Sequence, residues 1–131
     1  MTPKPSLGAH KSGSRWRSVL HASAGIRCML AEEPNARLHA VASVVVVAVG
    51  VLLEVSRADW AALVLAMALV WSAEAVNTAL EHLADALHPE LHPGVGRAKD
   101  AAAGAVLLAA LGAVAVGGLV LGPPVWERLV G

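Results

Sequence analysis

Between Asp100 and Glu127 lie 26 consecutive residues without a formal charge, Ala101 to Trp126. A run above about 18 apolar residues is long enough to cross a bilayer as a helix. Two shorter uncharged runs precede it, Ala40 to Leu53 and Trp60 to Ala73, each of 14 residues and each closed by charged or ionisable residues. Neither spans a membrane alone. Helical patterning continues past their polar ends, however, back through Asn35, Arg37 and Leu38 and forward through Ala75 to Leu87. Charged residues make up 15% of the chain against about 25% in soluble domains, so a water-soluble fold is excluded as the simplest answer. The expected class is an all-α membrane protein with spans over about 34–54, 58–87 and 97–122.

The remainder is polar at the N-terminus. Residues 1–14 are rich in Pro, Ser, Gly and Lys without periodicity and read as a disordered cytoplasmic tail, with no apolar core to make them a signal peptide. Residues 15–31, with Trp16, Val19, Leu20 and Met29 among Arg15, Arg17 and Arg27, fit a basic amphipathic helix on a membrane surface. Residues 15–131 then form one domain. Ten basic residues balance ten acidic ones, which removes the basic excess expected of a nucleic-acid partner. The single Cys28 has no second cysteine for a disulfide or a cysteine-rich metal site. Eight of the basic residues precede the first span or separate the second from the third, and two, Arg57 and Arg128, lie on the other side. The positive-inside rule therefore puts the N-terminus in the cytoplasm.

On the second span Glu74, Asn77, Glu81 and Asp85 follow one another at intervals of 3, 4 and 4 and so share one stripe. Polar residues can tie transmembrane helices together. Yet a carboxylate within a span costs about 2.5–3.5 kcal/mol on insertion scales, and acids with no basic partner at helical spacing repel one another. A divalent cation would resolve the conflict. Ahead of the first span stand Glu32, Glu33, Pro34, Asn35, Arg37 and His39. A helix-capping role accounts for Glu32 but not for Asn35 and His39, four apart on one face. Gly94 to Asp100 opens the third span, where Arg97 and Lys99 either snorkel to headgroups or bind phosphate at a helix N-terminus. His82, His88 and His92, interrupted by Pro89 and Pro93 and with no cysteine nearby in sequence, read as loop residues rather than a zinc site.

Three segments then coincide: Glu33-Pro34-Asn35-Ala36-Arg37-Leu38-His39; Glu74-Ala75-Val76-Asn77-Thr78-Ala79-Leu80-Glu81 continuing to Asp85; and Ala98-Lys99-Asp100-Ala101-Ala102-Ala103-Gly104-Ala105-Val106-Leu107. Together, in this order and spacing, they resemble the small integral-membrane prokaryotic diacylglycerol kinase family, over about Ser18 to Leu121, with Gly25 and Arg27 matching as well. The resemblance implies a homotrimer of three-span subunits with an amphipathic surface helix in the bacterial plasma membrane. It also implies direct phosphoryl transfer from Mg-ATP to a membrane lipid alcohol. Carried over by position, it makes Glu74 the general base and Glu33 and Glu81 the ligands of Mg2+. Asn77 becomes a positioning donor, and Lys99, Asp100 and Arg97 part of the nucleotide site. His21 stands where the family usually has an aromatic near the nucleotide. The Glu-x-Asn-x-Arg-x-His form, carried by Glu33, Asn35, Arg37 and His39, resembles the branch associated with Gram-positive organisms. The expected substrate is therefore undecaprenol, with diacylglycerol the alternative.

Two other classes fit parts of the pattern. A small multidrug-type transporter also uses an intramembrane Glu, but would hold it near the midplane rather than in a ladder toward one end. A non-enzymatic assembly subunit would use the small residues Gly104, Gly112 and Gly117, which leaves Glu74 unexplained.

Overall fold

In the computed structural model, which describes residues 14–87 and 92–131, the chain forms four helices: α1 Ser14–Glu32, α2 Pro34–Leu52, α3 Arg57–Leu87 and α4 Pro93–Val130. No strand occurs among the described residues. α2, α3 and α4 are each long and apolar enough to cross a membrane, as the uncharged runs require. The tail expected over residues 1–14 lies, up to residue 13, outside the described residues, and so does His88.

The breaks between helices follow from local chemistry. Pro34 and Pro93 each take the first helical position, where a missing N–H costs no bond. α2 ends in a Schellman turn: Val55 N–H donates to the Gly50 carbonyl and Glu54 N–H to that of Val51, both at 3.2 Å. Glu54 takes the left-handed position with φ 53°, a conformation usually left to glycine. Two residues later a reciprocal cap starts α3. Asp59 N–H donates to Ser56 Oγ, while Ser56 N–H and Oγ–H donate to Asp59 Oδ2 at 3.2 and 2.7 Å. The hairpin is closed further by Trp60, whose indole lies over the buried Gly50.

α3 is the central element, packed most extensively on α4 and also on α2. Leu63, Val70, Ala102, Val106 and Ala109 form the buried apolar seam, with small residues on α4 that let the helices approach. The outward faces are apolar and open: Leu65 is 71% exposed, Val114 73% and Leu119 78%. In water such a surface would aggregate, whereas in lipid or against other subunits it is satisfied. α2 runs antiparallel to α3, as Trp60 lying on Gly50 near the hairpin and Trp71 Nε1–H donating to Ser43 Oγ at 3.1 Å near mid-helix together require. At about 1.5 Å per residue the 31 residues of α3 extend some 46 Å, longer than a hydrocarbon core of about 30 Å.

Two expectations are corrected. His82 is on α3 rather than in a loop, because the helix runs on through it to Leu87. His92 is the N-cap of α4, its Nδ1 accepting from Gly94 N–H at 3.1 Å. That cap starts the helix at Pro93, so Arg97 and Lys99 lie beyond its first turn rather than at the N-terminus itself.

Candidate functional site

The polar stripe on α3 is graded by depth. Glu74 is 1% exposed and Asn77 7%, Glu81 is half-buried, and Asp85 is open. Thr78, also buried, spends its hydroxyl on the Glu74 backbone carbonyl at 3.0 Å and leaves the carboxylate alone. One turn along, Asn77 Nδ2–H donates to Glu81 Oε1 at 3.1 Å, which fixes the direction of both side chains. Among the described residues two buried acceptors then lack hydrogen-bond partners, Glu74 Oε2 and Asn77 Oδ1. A buried acceptor normally has a donor, so the pair marks a place where a hydroxyl, a water or a cation belongs.

From the α2 segment His39 and Glu33 lie within electrostatic reach of Glu74, as does Glu81 on its own helix. Glu33 occupies the N-cap position of α2, with φ −96° and ψ 115°, but its carboxylate makes no capping hydrogen bond and is left for another task. The carboxylates of Glu33 and Glu81 are hard oxygen donors, the kind a divalent ion such as Mg2+ selects, and in their chemistry they suit that ion.

The acids are not all without a basic partner, as helical spacing had suggested. Lys99 Nζ donates to Asp85 Oδ1 at 2.9 Å across the α3–α4 seam, and the charge of Glu81 acts on it as well. The partner comes from another helix, which spacing along α3 could not reveal. Glu32 is likewise not a cap. Its carboxylate accepts from Cys28 Sγ–H at 3.2 Å through Oε1 and lies 3.0 Å from His82 Nε2 through Oε2. This hydrogen bond, helped by the carboxylate charge, raises the Cys28 thiol above its ordinary pKa. No sequence signal links Cys28 to His82 beyond the i, i+4 spacing of Cys28 and Glu32.

Glu33, His39 and Glu81 thus lie within electrostatic reach of Glu74, Asn77 bonds Glu81, and Lys99 bonds Asp85 a turn beyond. His21, Asn35, Arg37, Arg97 and Asp100 are exposed on their helices and stand outside this buried group. Beside His39, a cavity of about 430 Å³ opens among Leu38, Ser43, Val46, Val70 and Val114, between α2, α3 and α4. Its apolar walls suit a hydrocarbon chain.

Comparison with known proteins agrees with this architecture. The family model described as prokaryotic diacylglycerol kinase matches residues 20–121. An undecaprenol kinase of Bacillus subtilis is 37% identical over 108 residues, covering 82% of this chain and 88% of that protein. A diacylglycerol kinase of Synechocystis sp. is 40% identical over 114 residues, covering 86% of this chain and 65% of the longer relative.

Proposed function

The chain belongs to the prokaryotic diacylglycerol kinase family, a family of membrane lipid kinases, and from that premise we propose that it transfers the γ-phosphoryl group of ATP to undecaprenol, giving undecaprenyl phosphate. The observation that carries the reading is the buried Glu74 carboxylate, with Oε2 unpartnered, one helical turn from Val70, which lines an apolar cavity. A hydroxyl at the head of a lipid whose chain lies along the cavity supplies the donor that Oε2 lacks. Glu74 then takes the hydroxyl proton as the oxygen attacks the γ-phosphorus and the bond from that phosphorus to the bridging oxygen breaks, releasing ADP.

Glu33 and Glu81 would hold Mg2+, whose part is to neutralise charge on the phosphate oxygens. Asn77 orients Glu81 through its 3.1 Å hydrogen bond and keeps Oδ1 for the reacting groups. Lys99 is the cation nearest this end of the stripe and contacts the nucleotide phosphates, with Arg97 and Asp100 completing the nucleotide side and His21 approaching the base from α1. Since Glu33, Asp85 and Lys99 lie toward one end of the bundle, that end and the N-terminus face the cytoplasm, the source of ATP. Three copies assemble around the site. A single chain leaves the outward faces of α2 and α4 open and presents the site at helix ends without walls on every side.

Diacylglycerol as acceptor is the second reading, favoured by the name of the Synechocystis relative; Asn35 and His39 favour undecaprenol. Purified protein given radiolabelled ATP with undecaprenol and diacylglycerol side by side decides between them. Faster labelling of undecaprenol under matched micelle conditions is expected. Equal or better turnover of diacylglycerol reverses the substrate, and labelling of neither removes the kinase reading.

A further inference from the structure

We infer that Cys28, Glu32 and His82 form a binding site for a thiophilic divalent ion of the zinc class, separate from the Mg2+ position and clamping α1 to α3. One donor atom from each lies within 4.8 Å of the others, although Glu32 and His82 stand 50 positions apart in the chain. Cys28 and Glu32 are one helical turn apart on α1, and His82 comes across from α3. Cys28 Sγ stands 3.2 Å from Glu32 Oε1 and His82 Nε2 3.0 Å from Glu32 Oε2, so the carboxylate already meets each of the other two donors through one of its oxygens. With bonds of about 2.0–2.3 Å, a tetrahedral ion holds its donors roughly 3.3–3.7 Å apart.

The donor set is what selects the metal. Sulfur, imidazole nitrogen and one carboxylate suit Zn2+ or Co2+, whereas Mg2+ takes oxygen. Thiolate and carboxylate together balance a divalent charge, so the filled site is neutral. Binding exchanges the thiol proton: the Cys28 S–H bond breaks, the proton leaves to solvent, and a sulfur–metal bond forms while His82 coordinates neutral. Access is open, since the Glu32 and His82 side chains are about half exposed. A cavity of about 400 Å³, lined by Gly25, Cys28, Met29, Thr78 and His82, leaves room for a water as fourth ligand. Glu32 directly precedes Glu33 and His82 directly follows Glu81, so occupancy pins the two chain segments that carry the Mg2+ carboxylates. The inference does not depend on which lipid, or whether any lipid, is phosphorylated.

The test uses the tag-free full-length protein in detergent, with Co2+ as a spectroscopic probe and Zn2+ as competitor. Wild type should develop a thiolate-to-cobalt charge-transfer band at one equivalent per chain, bleached by Zn2+. Cys28→Ser should lose the band. His82→Gln should bind at least about 10-fold more weakly, the lower end of losses seen even for indirect metal-site partners. The double variant Glu33→Gln/Glu81→Gln should keep both the band and the affinity. As a measurement independent of variant folding, Zn2+ should protect Cys28 of wild type in native membranes from alkylation by iodoacetamide. The inference is overturned by a wild type without the band, by a His82→Gln affinity equal to wild type, or by alkylation at the same rate with and without Zn2+.

Discussion

Lys99 of α4 and Asp85 of α3 are joined at 2.9 Å, so the cation expected at the nucleotide is already paired with the outermost acid of the stripe. Both side chains are substantially exposed, and such a pair contributes at most about 1 kcal/mol to stability. Lys99→Gln should therefore leave thermal unfolding nearly unchanged while raising the KM for ATP about 10-fold, the scale of losing one charge-assisted hydrogen bond. Asp85→Asn, which frees Lys99 without removing it, should leave KM within a few-fold. Equal KM losses in both variants would instead make the pair a positioning element.

Glu74 is the residue whose substitution separates proton transfer from metal binding. Glu74→Gln keeps the shape of the side chain and should retain Mg-ATP affinity by isothermal titration, while kcat falls by about 10² or more, the usual scale for a general base. Abolished Mg-ATP binding would move Glu74 into the metal shell.

Glu81→Gln and Glu33→Gln should do the reverse, raising the Mg2+ concentration needed for half-maximal activity without raising the lipid requirement. Co-expressed Glu33→Gln and Glu74→Gln chains should regain part of the activity if the site is shared between subunits, and native mass spectrometry in mild detergent should give a trimer. A monomer of full activity contradicts both expectations.

The α2–α3 hairpin is sensitive to the volume at Gly50. A Cβ there would stand 2.9 Å from Trp60 Cη2 and 3.1 Å from Cζ2, closer than packed carbons tolerate. Gly50→Ala should destabilise the fold by about 1–3 kcal/mol through overpacking. A detergent melt followed by tryptophan fluorescence should show a lowered Tm, with most of the loss recovered in the pair Gly50→Ala/Trp60→Leu.

Much of the architecture was legible before any coordinates, because a bilayer allows few solutions. Once Ala101 to Trp126 and the two shorter runs are placed in lipid, backbone hydrogen bonding forces helices, and Pro34 and Pro93 mark where two of them begin. The stripe from Glu74 to Asp85 was equally readable, since all four residues ride on one helix whose period is known.

Contacts between helices were not readable, because sequence spacing is silent about which residues meet across a seam. Lys99 finding Asp85, His82 reaching Glu32, and Trp71 donating to Ser43 each join residues brought together only by the packing of separate helices. The same holds for burial. The stripe alone ranks its acids by position, whereas the packing of α2 and α4 on α3 seals Glu74 and leaves Asp85 in the open, and a carboxylate's chemistry depends on that difference.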